Sequence, residues 1–270
     1  MNQESAIKKI LIAVVIVTFL VALAQFSNVR AMALETYEDA SLAIHPSASL
    51  AYTYANRHFD ASHRDEYDVK RAEALYEKAN ALNPQLPLLQ HQRARIAFLK
   101  GDFTAALERI DDEIARDGAS SPSSYYVRGL IKGYKGDFAG SASDYETYLK
   151  TDSRNWAAIN DYAWVLTKEN RPRDALVAAD WGLMSWPDNP WLLNSKATAH
   201  FELGQLALAA SAAEHAARAV AQITEKEWLI AYPGNDPLIA KDGVTAFQNA
   251  VRENMHTISL ALEESKKDVR

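Results

Sequence analysis

Residues 100–103 read Lys-Gly-Asp-Phe, and the same four amino acids return at residues 135–138. Asn170 follows Gly136 by 34 positions, and Gly204 follows Asn170 by another 34. Gly and Asn are the residues that most readily adopt a positive φ angle, and many helices end in that conformation. The spacing therefore predicts one sharp turn between helices, used four times at a near-constant interval.

Two columns of side chains keep step with these turns. The residues of the first column have small side chains. The residues of the second column, four positions later, have larger side chains or are again alanine. The small column is Ala72, Ala106, Ser141, Ala175 and Ala209; the second is Tyr76, Ile110, Tyr145, Ala179 and Ala213. Small residues at fixed places let two helices approach closely, while larger ones fill the space beside them. The pattern predicts an all-α fold built from a repeated helix–turn–helix unit.

The sequence Ala-x3-aromatic-x2-Ala-x4-Pro, found at Ala72, Tyr76, Ala79 and Pro84, resembles the tetratricopeptide repeat (TPR). The resemblance covers about residues 46–222 and implies a right-handed α-solenoid of about five TPR-like units with capping helices at its ends. The units are expected near residues 46–85, 86–120, 121–154, 155–188 and 189–222. Residues 1–31 are expected to hold a basic start and an apolar helix, residues 32–222 the repeat array, and residues 223–270 a turn and a capping helix.

Some positions depart from the family pattern. Residues 60–68 form an insertion between the two helices of the first unit, and Glu113 and Tyr148 stand where a small residue is usual. Gly118 and Ser153 replace the closing proline. The outer units therefore match the pattern less well than the middle three.

The composition limits the kinds of function. The net charge of −6 gives no broad basic surface for nucleic acid, and the absence of cysteine excludes disulfides, cysteine-ligated zinc and a cysteine nucleophile. We expect no cofactor, no metal, no nucleic-acid partner and no small-molecule substrate.

An apolar segment lies near the N-terminus, where residues 10–24 carry no charge and follow Lys8 and Lys9. Extended to residue 26, the segment reaches about the minimum length of a membrane span, so it predicts an N-terminal transmembrane anchor. The basic residues predict a cytoplasmic N-terminus with the repeats outside the cytoplasm. A cleaved signal peptide, cut after Ala24, is the alternative and would give a secreted or periplasmic protein.

The densest group of ionisable side chains consists of His58, Asp60, His63, Asp65 and Glu66. Two histidines five residues apart do not suit the i, i+4 geometry of a helical metal pair, so a solvated loop is the favoured interpretation over a metal or proton-transfer site. No phosphate-binding loop or nucleophile elbow occurs in the sequence. We expect the protein not to be an enzyme.

The resemblance implies a binding site instead, because the first helix of each TPR unit lines a concave groove. The groove residues expected from the aligned columns are His91, Arg95, Phe98, Tyr126, Leu130, Tyr134, Asn160, Trp164, Lys168, Asn194, Thr198 and Phe201. This mixture of aromatic rings, amides and positive charges suits a peptide or a segment of an envelope protein. The main hypothesis is a membrane-anchored, non-enzymatic scaffold for protein–protein interaction. The alternative is a secreted TPR binding or assembly-chaperone protein.

Tryptophans cluster in one unit and its border, at positions 156, 164, 181, 186 and 191. Large aromatic side chains fill cores and also dominate interfaces, so the sequence leaves both roles open for each of them.

Overall fold

The computed structural model describes residues 27–118, 120–231 and 235–268, and within these ranges every regular element is a helix. Thirteen α-helices and one short 3₁₀-helix at Pro237–Ile239 make up this part of the chain. The α-helices are α1 (Ser27–Ile44), α2 (Ala48–His58), α3 (Val69–Leu82), α4 (Leu89–Leu99), α5 (Phe103–Asp117), α6 (Pro122–Lys135), α7 (Phe138–Leu149), α8 (Trp156–Lys168), α9 (Pro172–Ser185), α10 (Pro190–Glu202), α11 (Leu206–Val220), α12 (Glu225–Ala231) and α13 (Ala240–Asp268). The predicted all-α fold is confirmed.

The chain divides into two compact units, the first ending at Leu86 and the second beginning at Pro87. In the first unit, α2 packs against α3 through fully buried Ala51, Ala55 and Ala72. The predicted insertion forms the loop between these two helices. Phe59 and Tyr67 at its two ends are both buried and stack at a centroid distance of 6.4 Å, so the loop closes on an aromatic pair.

The second unit contains four helix pairs in succession: α4 with α5, α6 with α7, α8 with α9, and α10 with α11. The second helix of each of the first three pairs also packs against the first helix of the next pair, so the pairs form a continuous series within this unit. The core lies between helices, and the predicted columns are in it. Ala106, Ser141, Ala175 and Ala209 of the small column are fully buried, as are the second-column residues that follow each of them by four positions.

The recurring Lys-Gly-Asp-Phe sequence performs two tasks at each turn. Gly101 and Gly136 have φ angles of +76° and +86°, which end the preceding helix. The aspartate that follows then caps the next helix: Asp137 Oδ1 accepts a hydrogen bond from the backbone N–H of Gly140 at 2.9 Å. Asn170 and Gly204 also have positive φ angles, of 62° and 69°, so the four predicted turns are confirmed.

Glu113 departs from the family pattern for a reason that the structure supplies. Leu88, which precedes α4, has a left-handed backbone and makes no side-chain cap. The fully buried Glu113 carboxylate from α5 takes over this role, accepting hydrogen bonds from the backbone N–H groups of Leu88 at 2.7 Å and Gln90 at 3.1 Å. A carboxylate suits this place because the N-terminal N–H groups of a helix carry partial positive charge.

The long C-terminal helix α13 packs mainly on α11 and also touches α10 and α12. Its apolar face is the one that is buried. Val251 and Ile258 are fully covered, and Phe247, Met255 and Leu262 pack against them and their neighbours.

The predicted single-pass membrane localisation is wrong for the described residues. In these ranges no helix is both long and apolar enough to cross a bilayer. α1 has 18 residues but carries Arg30, Glu35, Glu38 and Asp39, while the 29-residue α13 is charged along its exposed side. Charged side chains are costly in hydrocarbon, which is why neither helix qualifies. The expected span at residues 10–26 lies outside the described residues, as does the cleavage site proposed after Ala24.

Candidate functional site

A groove of about 530 Å³ opens on the second unit. It is formed by side chains of α6, α8 and α10, with contributions from the α6–α7 turn, from α7 and from α13. The lining residues are Leu130, Gly133, Tyr134, Gly136, Phe138, Tyr145, Asn160, Asp161, Trp164, Trp191, Asn194, Ser195 and Phe247. Five of the twelve residues expected from the sequence are among them: Leu130, Tyr134, Asn160, Trp164 and Asn194.

Aromatic rings form one wall of the groove. The rings of Tyr134 and Trp164 lie 6.1 Å apart, and Phe138 meets Trp164 edge-on at 6.1 Å. Tyr134 is 57% exposed and Trp164 37% exposed, so both rings present surface to the groove. Gly133 lies beneath Trp164, and a Cβ atom there would come within 3.1 Å of the indole. The missing side chain therefore lets the indole approach α6 closely.

Polar groups form the floor. Ser195 Oγ donates to Asn160 Oδ1 at 2.8 Å, and Asn160 Nδ2 donates to Asp161 Oδ1 at 3.3 Å. Tyr126, from α6, donates its hydroxyl to Asp161 Oδ2 at 3.2 Å. These hydrogen bonds join α6, α8 and α10 and fix the orientation of the amide and the carboxylate.

Residues near α13 form the end of the groove. Phe247 stacks on Trp191 at a centroid distance of 4.5 Å, and Trp191 packs on Trp156 at 4.9 Å. Asn254 Nδ2 donates to Asn194 Oδ1 at 2.8 Å and to Thr198 Oγ1 at 3.3 Å. The amide oxygen of Asn194 is thus already held by α13.

The other expected residues lie outside the lining. Phe98 packs edge-on against Tyr134 at 5.1 Å and so extends the aromatic wall along α4. Lys168 is exposed, and Phe201 packs against a buried cluster that includes Ala197 of α10 and Ile258 of α13. Arg95 donates to Gln92 Oε1 at 2.7 Å.

His91 is buried, and its Nδ1 lies 3.0 Å from Ser124 Oγ. Burial, together with the positive charge of Arg95, lowers the pKa of the imidazole to about 3. A neutral, enclosed imidazole has the properties of a core residue.

The sequence did not point to Asp161, Ser195, Trp191 or Phe247 as groove residues. Asp161 and Ser195 each follow an expected residue by one position, and one position turns a helix by about 100°. Helical spacing therefore predicts that a residue next to a groove residue points away from the groove. The groove is wide enough to be lined by both members of each adjacent pair, Asn160 with Asp161 and Asn194 with Ser195. Phe247 could not be assigned because its position depends on where α13 packs.

The remaining tryptophans divide between core and surface. Trp181 packs against the central core, whereas Trp186 is 44% exposed. Trp156, Trp186 and Trp191 border a second depression of about 350 Å³ between the α9–α10 turn and α12.

The histidines of the first unit form hydrogen bonds with neighbouring carboxylates. His58 is buried, and its Nε2 lies 3.0 Å from Glu38 Oε2, which also accepts from Arg71 at 3.1 Å. His63 is exposed and pairs with Asp60. No group of three or more potential metal ligands was found where side chains are described.

The fold is similar to that of solved repeat proteins. A tetratricopeptide repeat protein from Parabacteroides merdae is 13% identical, with 88% of this chain and 98% of that chain covered at a TM-score of 0.58. A MamA protein is 14% identical, with 64% of this chain and 92% of that chain covered at a TM-score of 0.54. A second MamA structure, described as MamA MSR-1, is also 14% identical, with 63% of this chain and 95% of that chain covered at a TM-score of 0.53.

No protein-family model and no curated protein matches the sequence. At identities of 13–14%, the likeness to solved structures shows the fold alone. The fold is that of an all-helical repeat protein.

Proposed function

We propose that the protein is a non-enzymatic scaffold for protein–protein interaction and that the groove holds a peptide or an extended segment of another protein. The observation that carries this proposal is the pair of exposed rings, Tyr134 and Trp164, beside the fixed amide of Asn160. Tyrosine and tryptophan contribute most strongly to protein–protein binding energy. An amide beside them offers hydrogen bonds to a peptide backbone.

The size of the groove supports a short segment as its occupant. A volume of about 530 Å³ accommodates a few side chains but not a globular partner. The described residues that line the groove include one carboxylate and no histidine that could activate a hydroxyl group as a nucleophile. These features favour recognition over catalysis.

We also propose that the helix pairs are five TPR-like units with boundaries near residues 46–85, 86–120, 121–154, 155–188 and 189–222. The four units after residue 86 would form a right-handed α-solenoid, and residues 223–270 would cap it. The matching positive φ angles at the turns and the buried small column support this assignment. A cap is needed because the apolar face of a terminal repeat would otherwise be exposed.

The test is a double variant, Tyr134→Ala with Trp164→Ala, compared with a matched control. The control, Tyr37→Ala with Trp186→Ala, removes the same two ring types at sites that are 64% and 44% exposed but do not line the groove. Peptides selected from a displayed random library on the immobilised full-length protein serve as ligands. We expect the groove variant to lose most of the binding, while the control keeps it.

Circular dichroism checks that both variants remain helical. Equal binding by the groove variant and the wild type would overturn the proposal. Loss of helical signal in the groove variant alone would show that these rings are part of the core and do not form a ligand surface.

A further inference from the structure

The hydrogen bonds in the floor of the groove determine which backbone groups a ligand has to supply. Ser195 Oγ donates to Asn160 Oδ1 at 2.8 Å, and Asn254 Nδ2 donates to Asn194 Oδ1 at 2.8 Å. Asp161 is only 4% exposed, and its two oxygens accept hydrogen bonds of 3.3 and 3.2 Å from within the protein. The amide and carboxylate oxygens of the floor are therefore already engaged.

Donor groups remain at the same surface. Asn194 is partly buried and lines the groove, and within the described part of the chain its Nδ2 donates to no residue. Because the amide oxygen is held by Asn254 of α13, the side chain is fixed with its NH₂ group left for a ligand. The indole N–H of Trp164, which can only donate, belongs to another residue of the lining.

Tyr134 adds a hydroxyl donor. The pKa of this phenol is raised, first because the ring is partly withdrawn from water and second because the negative charge of Asp161 opposes ionisation. The hydroxyl group therefore keeps its proton at neutral pH. The groove thus offers its ligand hydrogen-bond donors more readily than acceptors.

An ordinary extended segment carries both carbonyl and N–H groups on its backbone. Its carbonyl oxygens can accept from the donors of this groove, but its N–H groups would lose water and meet floor oxygens that are already engaged. A buried donor left without a partner costs about 1–3 kcal/mol. Proline has no backbone N–H, so a segment rich in proline avoids this cost.

The aromatic wall favours the same kind of segment. Proline-rich chains form a polyproline II helix before they bind, and such helices dock in grooves lined by aromatic rings. Here Phe98, Tyr134 and Trp164 form a row across α4, α6 and α8, with successive ring centroids 5.1 and 6.1 Å apart. The exposed faces of Tyr134 and Trp164 provide surface on which pyrrolidine rings can pack.

We propose that the segment bound in the groove is proline-rich, with its pyrrolidine rings on Tyr134 and Trp164 and a backbone carbonyl accepting from Asn194 Nδ2. This inference rests on the proposed function, because it specifies the chemistry of the peptide held there. It assigns the recognition of proline to the two exposed rings and the recognition of the backbone to Asn194.

The test uses fluorescence anisotropy with the full-length protein and a fluorescein-labelled nonamer of L-proline. The control ligand is the D-proline nonamer, which has the same composition and hydrophobicity but forms a helix of the opposite hand. We expect the wild type to bind the L-nonamer about tenfold more tightly than the D-nonamer. The Tyr134→Ala, Trp164→Ala double variant should lose most of the binding of the L-nonamer.

An Asn194→Asp variant tests the backbone contact. Aspartate keeps an oxygen for Asn254 and removes the NH₂ donor, so this variant should bind the L-nonamer about tenfold more weakly. Asn249→Asp is the charge-matched control, because Asn249 is exposed on α13, bonds Arg252 and lies outside the groove lining. Since the comparison of enantiomers uses the wild-type protein, its result stands even if Asn194→Asp lowers stability.

Equal binding of the two enantiomers, or binding of the L-nonamer that survives in the double variant, would overturn this inference. So would failure of the L-nonamer to bind, and if library-selected peptides then bind the wild type and not the double variant, the proposed function stays in place. Unchanged affinity in Asn194→Asp would overturn the backbone contact. Binding of the selected peptides that is insensitive to the double variant would instead overturn the proposed function and this inference with it.

Discussion

Trp191 and Phe247 stack with a centroid distance of 4.5 Å and an interplanar angle of 11°, although they are 56 positions apart in the sequence. Trp191 belongs to α10 and Phe247 to α13, and both line the groove. The C-terminal helix therefore does more than cover the last helix pair. It supplies one end of the candidate binding site.

Replacing Phe247 with alanine should reduce stability and ligand binding together. The side chain is half-buried, so we expect a loss of about 2 kcal/mol in the free energy of unfolding, below the cost for a fully buried phenylalanine. Urea denaturation followed by circular dichroism measures this loss. Thr245→Ala, an exposed change on the same helix, should stay within about 0.5 kcal/mol of the wild type. Equal effects of the two variants would contradict a structural role for the stacked pair.

The sequence predicted the helices and turns well because both depend on local signals. Gly101 and Gly136 needed positive φ angles, and Asp137 needed to be next to the helix that it caps. These requirements involve a few neighbouring residues and repeat at a fixed period, so they can be read without knowing the tertiary structure.

The candidate site was predicted only in part because it depends on packing. Tyr134 and Trp164 belong to two periodic columns of the repeat, and both line the groove. Whether a column residue is reachable depends on its neighbours: Asn160 and Asn194 line the groove, whereas His91, in the same column, is buried outside the lining. Asp161 and Phe247 belong to no predicted column. One is adjacent to an expected residue, and the other comes from a helix outside the repeats.

The turn at Gly136 offers a test of backbone conformation alone. Its φ angle is +86°, and an added Cβ atom would meet no heavy atom within 4 Å. Gly136→Val should therefore cost about 2 kcal/mol through backbone strain, without a steric clash. Gly136→Asn should cost less than about 1 kcal/mol, because asparagine tolerates this conformation. Equal losses from both variants in urea denaturation would show that side-chain size decides the cost.

The buried carboxylate of Glu113 should be essential to the start of α4. Glu113→Ala removes the acceptor of the Leu88 and Gln90 N–H groups and the partner of Arg116, so we expect a loss of about 3 kcal/mol. Glu108→Ala changes an exposed carboxylate on the same helix and should be nearly neutral. Hydrogen exchange at the first turn of α4 should accelerate in Glu113→Ala alone. Unchanged exchange there would argue against the capping role.

His91 should make stability depend on pH in the acidic range. Its pKa in the folded protein is about 3, below the ordinary value of 6.5, because burial opposes the charged form. Between these two values the unfolded chain binds a proton that the folded chain does not, so stability falls as the pH drops below 6.5. The slope contributed by this residue should reach about 1.4 kcal/mol per pH unit.

Urea denaturation midpoints measured between pH 7 and pH 4 test this linkage by comparing wild type with His91→Gln. Glutamine does not titrate, so the variant should lose less stability over this range, even if it is less stable at pH 7. His256→Gln, an exposed change on α13, should follow the wild-type pH dependence. Parallel curves of stability against pH for His91→Gln and the wild type would mean that His91 takes up a proton in the folded protein. The imidazole would then not be enclosed, contrary to its buried contact with Ser124.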